Sequence, residues 1–212
     1  MKTFNAFIFK LLVALFVFSA CSNDKNPEKY IGYWIESDDD LVMPTQIKEQ
    51  AGSLYIIVDN EGEKIEMPAT FDEEGKSLTA KLPSPAGNLD VQAIYLDGNN
   101  HLKVNIANSS KELSEIPETE AKERAKKIEV FYDPNFFIGK WMNLATTEAG
   151  PIEIRKEGDK YFLQTALSHM EIKYNKRFFV WSYMGSTSRI SRLKNGNLRW
   201  DIGAFRTEYR RM

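Results

Sequence analysis

Between Ile35 and Ala107 the chain alternates short apolar runs with polar turn sequences. Apolar side chains recur at every second position in several runs, as at Val91, Ala93 and Tyr95, and this alternation predicts half-buried β-strands. Short strands at even spacing with Gly, Asn and Asp in the turns are typical of an antiparallel meander. The predicted turns are DNEG at 59–62, DEEG at 72–75, PAGN at 85–88 and DGNN at 97–100.

The second half of the chain repeats this plan. Hairpin turns are predicted at Glu157–Asp159, Asn175–Lys176 and Asn195–Gly196, and Asn-Gly is a strong signal for a type I′ turn. The run LYIIVD of the first half corresponds to YFLQTA of the second, and NNHLKVNIA corresponds to NGNLRWDIG. Pro68 interrupts one run, which predicts an edge strand or a bulge at that position.

A polar segment, residues 114–129, separates the two β-rich halves. Ser114 is a candidate helix cap, and the pairs Glu118–Lys122, Glu120–Arg124 and Glu123–Lys127 have the i,i+4 spacing that stabilises helices. Its apolar stripe is thin. The segment therefore predicts a mostly solvated linker helix within residues 111–130.

The first twenty residues have the features of a secretory signal. Lys2 and Lys10 precede an apolar run from Leu11 to Phe18, and small residues follow it. A basic flank, a short apolar core and a small-residue cleavage site are typical of a signal peptide. The run is also shorter than the about 20 apolar residues that a membrane-spanning helix needs.

Cys21, the only cysteine, directly follows this signal, so the sequence allows no intramolecular disulfide. The stretch FSAC resembles the lipobox of bacterial lipoproteins, although Phe18 stands where that family more often has Leu. The resemblance implies diacylglycerol and acyl chains on Cys21, a tether at 21–29, and a place in the envelope, at the outer membrane of a Gram-negative bacterium. The alternative is a free cysteine after a cleaved signal.

The most informative motif occurs twice. NPEKYIGYW ends at Trp34 and DPNFFIGKW ends at Trp141, 107 residues later, and each contains Gly-x-Trp, with Gly32 and Gly139. A short turn followed by Gly-x-Trp at the first strand of a meander resembles the lipocalin and fatty-acid-binding-protein superfamily. The resemblance implies that each Trp closes one end of a barrel.

The same resemblance implies that a basic side chain of a late strand covers the indole. Arg199 or Arg206 is the candidate over Trp141, and only Lys103 stands in the corresponding region of the first half. Each unit has about 80–90 residues, which is short for a ligand-holding barrel of about eight strands. Without the resemblance, Trp34 and Trp141 are interpreted as large core residues that anchor the first strand of each unit.

The charges of the two halves are opposite. Residues 22–110 carry 16 acidic and 7 basic side chains, a net charge of −9, whereas residues 133–212 carry 8 acidic and 14 basic side chains, a net charge of +6. His101 and His169 lack metal-ligand spacing, and Ser37–Asp40 lacks the pattern of a calcium loop. We expect no metal site, no cofactor and no enzymatic activity, because no titratable cluster has catalytic spacing.

Aromatic and arginine side chains alternate near the C-terminus, and such mixtures bind anionic sugars, lipids or nucleic acid. Nucleic acid is not expected as the partner of an exported lipoprotein. The alternative interpretation is a basic outer face that balances the acidic half. The candidate ligand-binding residues are Trp181, Tyr183, Arg189, Arg199 and Arg206.

Together the patterns predict an all-β protein with two tandem antiparallel meander or small-barrel units, joined by a short helix. We expect a non-enzymatic, lipid-anchored binding or interaction module of the envelope, with an unknown protein or small-molecule partner. The alternative is a lipocalin-like carrier of a small apolar or anionic ligand in the C-terminal unit. The predicted divisions are a signal peptide at 1–20, a lipidated tether at 21–29, β unit 1 at 30–110, a linker helix at 111–130 and β unit 2 at 131–212.

Overall fold

The computed structural model describes residues 26–36, 38–74, 76–145, 150–183 and 185–212. The predicted signal peptide and Cys21 lie outside these residues. Within them the chain forms two closed antiparallel sheets of eight strands each, connected by one short α-helix. The predicted fold class is therefore confirmed.

The first barrel follows a short 3-10 helix, Pro27–Tyr30. Its strands are hydrogen-bonded to their neighbours in chain order, and the order closes on itself. The third strand contains LYIIVD and the seventh contains most of NNHLKVNIA. The strands are β1 Gly32–Ile35, β2 Thr45–Gln50, β3 Ser53–Asn60, β4 Glu63–Asp72, β5 Ser77–Leu82, β6 Leu89–Leu96, β7 His101–Ile106 and β8 Ser109–Ile116.

Helix α1, Glu118–Phe131, precedes a second 3-10 helix, Pro134–Phe137, and the second barrel. Here β9 pairs with both β10 and β16, which closes the sheet. The stretches YFLQTA and NGNLRWDIG fall at the third and seventh strands, so the two halves are structural repeats. The strands are β9 Gly139–Asn143, β10 Ile152–Glu157, β11 Lys160–Gln164, β12 His169–Asn175, β13 Phe178–Tyr183, β14 Ser186–Arg192, β15 Leu198–Ile202 and β16 Phe205–Arg211.

Eight strands fit into each short unit because the strands are short and their turns are tight. The β3–β4 turn has two residues, Glu61 and Gly62, and the β7–β8 turn has Ala107 and Asn108. Glu61 and Ala107 have φ of 54° and 50°, which is the left-handed region that two-residue hairpins use. The predicted turns at 59–62, 72–75, 85–88 and 97–100 all separate consecutive strands.

Four local expectations need revision. Ser114 does not cap the helix, because it lies within β8, and the N-cap position is occupied by Pro117 without a side-chain bond. The Asn195–Gly196 turn belongs to a five-residue loop, since Arg192 pairs with Leu198. Pro68 lies within a strand of a closed sheet, which has no edge, so the edge strand is excluded and the bulge stays a prediction. The fourth expectation, Arg199 or Arg206 over Trp141, is corrected below.

The described chain forms two compact units, and their boundaries do not coincide with those of the two barrels. The first contains the described residues up to Trp34, Gln46–Ile56 and Met67–Glu115. The second contains Ile35–Thr45, Ile57–Glu66 and Ile116–Met212. The second unit therefore includes the β1–β2 connection and the tip of the β3–β4 hairpin besides the helix and the second barrel.

The repeated sequence motif forms the same structure in both barrels. In the first repeat the Asn26 side chain accepts a hydrogen bond from the backbone N–H of Glu28 at 2.9 Å. In the second, Asp133 accepts one from Asn135 at 2.8 Å. A short polar side chain caps each 3-10 helix and a Pro follows it, which suits a helix start because that N–H needs no partner.

Each Gly-x-Trp places its indole beneath the 3-10 helix that precedes it. Trp34 Nε1 donates to the carbonyl of Tyr30, and Trp141 Nε1 donates to that of Phe137, both at 2.9 Å. All four of these side chains are fully buried. Removing one such aromatic side chain from water contributes about 2–3 kcal/mol to stability, and the bond satisfies a carbonyl that the helix end leaves unpaired.

Gly139 is needed for this arrangement. Its φ is +132°, and a Cβ there would meet Arg211 Nη1 at 3.3 Å. Arg211, at the end of β16, lies over the Trp141 ring at 4.6 Å and donates to the carbonyls of Ile138 and Phe136. The side chain over Trp141 is thus Arg211, and the expectation of Arg199 or Arg206 is wrong.

The first barrel differs at this position. A Cβ on Gly32 would meet Glu115 Oε1 at 3.5 Å, so a carboxylate lies where the second barrel has its arginine. Lys29 provides a cation instead, 4.9 Å from the ring centre of Tyr95, which in turn packs edge-on against Trp34. The aromatic closure is common to both barrels, but its charged cover is not.

A tyrosine hydroxyl binds an equivalent hairpin turn in each barrel. Tyr30 donates to the carbonyl of Lys76 at 2.6 Å, and Tyr174 donates to that of Lys176 at 2.7 Å. Both lysines have positive φ, 46° and 49°. The two tyrosines come from different elements, a 3-10 helix and β12, so the same contact is made in two ways.

We expect Trp141→Phe to lower the free energy of unfolding by about 2–4 kcal/mol, because it leaves a small cavity and an unpaired buried carbonyl. Trp34→Phe should lower the free energy of unfolding by a similar amount through the first barrel. The matched control is Trp200→Phe, because the Trp200 N–H has no hydrogen-bond partner among the described residues. Losing this N–H should cost about 1 kcal/mol or less. Urea unfolding compares the three variants, and equal losses would contradict the assigned role of the indole bonds.

Candidate binding site at the distal end of the second barrel

The second barrel has two ends of different character. One end carries the 3-10 helix Pro134–Phe137, Trp141 and Arg211. At the opposite end, here called the distal end, β9, β11, β13 and β15 finish and β10, β12, β14 and β16 begin. Between the two ends the interior is filled by buried apolar side chains: Ile154, Leu163, Ile172, Phe179, Ile190 and Leu198.

Three aromatic side chains line the interior toward the distal end. The rings of Trp181 and Trp200 are 5.3 Å apart, and those of Trp200 and Tyr209 are 6.0 Å apart. Trp181 and Trp200 are partly buried and pack against the core, whereas Tyr209 is buried. They provide flat apolar surfaces against which a planar or aliphatic group can pack.

Polar groups lie among these rings. Asn143 Nδ2 donates weakly to the Tyr209 hydroxyl at 3.5 Å, and Ser188 is buried on β14. Trp200 Nε1 is buried and has no hydrogen-bond partner in the described structure. A buried donor without a partner loses its hydration without compensation. An acceptor atom from a bound molecule would restore that bond.

Large apolar side chains also surround the distal end on its connections. We call Leu144, Leu167, Ile202 and Phe205 the apolar rim. Their exposed fractions are 45%, 97%, 41% and 78%. Ile202 and Phe205 pair directly across the β15–β16 hairpin. In the described part of the chain, the other large hydrophobic side chains with comparable exposure are Val130 and Met212.

The predicted ligand-binding residues divide between two faces of the sheet. Trp181 points inward, whereas Arg199 and Asp201 flank the inward-facing Trp200 and therefore point outward. Arg206 stands directly across from Asp201. Asp201 pairs with Arg199 at 3.1 Å and with Arg206 at 3.4 Å. The arginines and Trp181 thus do not line one pocket.

Arg189 also lies on the outer face. It stands across from Asp201 in the β14–β15 pairing, and its guanidinium lies 3.6 Å from the ring centre of Phe178. Within the second compact unit it pairs with Glu61 at 2.6 Å. Tyr183 ends β13, and its side chain lies outside the described part of the structure.

The sequence interpretation missed the residues that complete the distal end. Phe205, Thr207 and Tyr209 share the inward face of β16 by simple alternation, which the stretch FRTEYRR already contains. Ile202 and Phe205 flank a turn, so their pairing could also have been inferred. Asn143 and Ser188 gave no comparable signal, because a single polar residue in a strand does not indicate its neighbours.

The other titratable side chains singled out in the sequence make local polar contacts. His101 lies beside Ser114, and His169 contacts Gln164. Asp39 accepts hydrogen bonds from Lys194 and from the Leu41 N–H, which lower its pKa. Within the described residues, no His, Cys, Asp and Glu side chains gather in a set of three or more able to hold a metal ion. No helix in the same residues has the length and hydropathy to cross a membrane.

We expect the protein to lose stability as the pH rises above about 10, and Tyr209 to contribute to this loss. Burial raises the pKa of Tyr209, only partly offset by the hydrogen bond from Asn143. Because the folded pKa exceeds the unfolded one, the contribution is complete below about pH 10 and is lost above it. Burial also raises the pKa of Tyr174 to about 12, so its contribution is lost in the same range.

Thermal unfolding across a pH series measures this effect. Tyr209→Phe should show a smaller fall of the midpoint between about pH 10 and about pH 12 than the unaltered protein. Asn143→Ala should show a larger fall, because it removes the interaction that lowers the pKa of Tyr209. An unchanged slope in Tyr209→Phe would contradict the burial of its hydroxyl.

Comparisons with protein-family models, with curated proteins and with solved structures find no match to this chain. The clearest likeness is internal, between the two barrels and their Gly-x-Trp closures. The distal end is not part of that likeness, because the apolar rim belongs to the second barrel alone among the described residues.

Proposed function

We propose that this protein is a non-enzymatic binding and interaction module, anchored in the bacterial envelope by lipid on Cys21, which contacts its partner through the distal end of the second barrel. The observation that carries this proposal is the apolar rim. Four large hydrophobic side chains, from 41% to 97% exposed, surround one end of one barrel.

Single exposed apolar residues are normal on proteins, but their concentration in one place indicates an interaction surface. The rim residues lie in or beside three separate connections, β9–β10, β11–β12 and β15–β16. Covering a Leu or Phe side chain contributes up to about 1.5–3 kcal/mol. A partner that covers several of them therefore gains enough to offset part of the cost of association.

The packed interior supports contact at the barrel end over enclosure of a large ligand. Side chains from six strands fill the barrel between its two ends, and Ile154, Leu163, Phe179 and Ile190 are completely buried. Eight-stranded barrels are just wide enough for side chains to fill them. A partner would thus meet the distal end and the rings of Trp181, Trp200 and Tyr209, which we call the aromatic floor.

A second candidate function is a carrier of a small apolar or anionic molecule at the distal end. The specific observation is the buried Trp200 N–H without a partner, between Trp181 and Tyr209. A ligand with an apolar body and one acceptor oxygen fits these groups. The arginines of the outer face lie on the other side of the sheet, so the ligand would gain little from them.

Mass spectrometry of the full-length protein, extracted from the membranes of its own host, tests both the anchor and the carrier. We expect a chain that begins at Cys21 and carries acyl chains, and Cys21→Ser should abolish this modification. A small ligand retained under native conditions, and lost in Trp200→Phe, would support the carrier. An unacylated Cys21 would contradict the anchor.

Photo-crosslinking in living cells tests the contact surface. A benzophenone amino acid replaces Phe205 in the full-length chain, and a matched variant carries it in place of Val130. Both positions are well exposed, at 78% and 65%, but Val130 lies on helix α1. We expect adducts from position 205 and few or none from position 130.

Either a protein or a lipid adduct at position 205 agrees with the proposed function. Equal labelling at both positions would indicate random collision. Adducts from position 130 alone would place the interaction surface elsewhere on the molecule.

A further inference from the structure

We infer that the partner of the apolar rim is a lipid bilayer, into which the rim inserts from the surface. This inference rests on the proposed function and names the class of its partner. It depends on three features of the distal end: the distribution of the rim residues, the recessed position of the aromatic floor, and the basic outer face beside them.

The rim residues are distributed around the barrel end. Leu144 follows β9, Leu167 lies in the β11–β12 turn, and Ile202 and Phe205 flank the β15–β16 turn. Leu167 is 97% exposed, so hardly any of its surface rests on the protein. A fluid, apolar layer can receive separate side chains at the same time, as it does for the apolar face of interfacial helices.

The recessed centre distinguishes this surface from an ordinary protein interface. Protein interfaces have an apolar core within a polar rim. Here the most exposed apolar side chains stand at the perimeter, on the turns, whereas Trp181 and Trp200 lie deeper and are partly covered. A flat partner would touch the perimeter first, which suits a membrane surface.

A basic outer face lies beside the apolar rim. Arg206 follows Phe205 directly, and its side chain is 74% exposed. Arg199 lies beside it and is 38% exposed. Asp201, 20% exposed, pairs with both arginines, and Glu208 stands directly across from Arg199 on the same face. Arg210 adds a third exposed arginine there, so one positive charge remains to complement anionic headgroups, and guanidinium groups bind phosphate in a bidentate manner.

Vesicle flotation tests the inference with the unacylated chain from Ser22, which retains every residue that the structure describes. The vesicles are phosphatidylcholine, with and without phosphatidylglycerol. We expect the protein to float with both kinds and more strongly with phosphatidylglycerol. Each rim residue replaced by Ser should weaken partitioning by about tenfold, so Leu167→Ser with Phe205→Ser should weaken it by about a hundredfold.

Two further variants separate the apolar and the ionic contributions. Val130→Ser removes a side chain that is 65% exposed on helix α1 and should leave partitioning unchanged. Arg206→Gln should reduce only the additional binding that phosphatidylglycerol provides. Because all these side chains are exposed, their replacement should preserve the fold, and circular dichroism checks this.

Failure of the unaltered chain to float with either vesicle would overturn the inference, and so would an equal loss in Val130→Ser and in the rim variants. Protein adducts from position 205 in the cross-linking experiment, together with absent flotation, would leave the proposed interaction surface in place and replace lipid by protein as its partner. Absence of both signals would reject the surface itself.

Discussion

In each barrel one hydrogen bond, from an indole N–H to the carbonyl four residues before it, holds the 3-10 helix against the first strand. The bond fixes the 3-10 helix over the barrel end and places the largest side chain of the first strand in the core. In the second barrel that strand also pairs with the last one, so the strand that carries the tryptophan completes the sheet. Trp34 and Trp141 therefore each bind a backbone carbonyl, fill part of the core and belong to the strand that begins the sheet.

The two barrels share this closure and differ in other parts. Both barrels have a capped 3-10 helix, a positive-φ glycine and a tyrosine hydroxyl on a hairpin turn. The apolar rim, by contrast, occurs at only one of them within the described chain. Strands held at one end leave the connections at the other end free to vary, which is the usual division between a scaffold and its loops.

The sequence contained most of the architecture, because turn residues and period-two alternation are local signals. It did not reveal β8, whose stretch SSKELSEI has Leu113 as its single buried residue and resembles a polar linker. That strand is stabilised by closing the sheet beside β7, a tertiary effect that no local pattern reports. Arg211 was missed over Trp141 for a related reason, since its position depends on the register of the last strand against the first.

Composition alone does not show on which face of the sheet each side chain of the candidate site lies. Arg199 and Trp200 are neighbours in sequence, but neighbours in a strand face opposite sides, so they serve different surfaces. The alternation of the strand is sufficient to separate these two side chains, because it depends only on their positions in the sequence. The exposure of Leu167 and Phe205 could not be predicted from the sequence, because an apolar residue next to a turn can be either buried under the loop or exposed to solvent.

The charged residues beside the two glycines have a consequence for the fidelity of folding. A chain with two similar barrels has two closing strands, and an exchange between them would produce a closed but wrong sheet. Glu115 lies against Gly32, and Arg211 lies over Trp141. An exchange would set a carboxylate against the negative face of that indole, where it is repelled, and remove the cation that the ring attracts. The opposite charges thus distinguish the two closing strands.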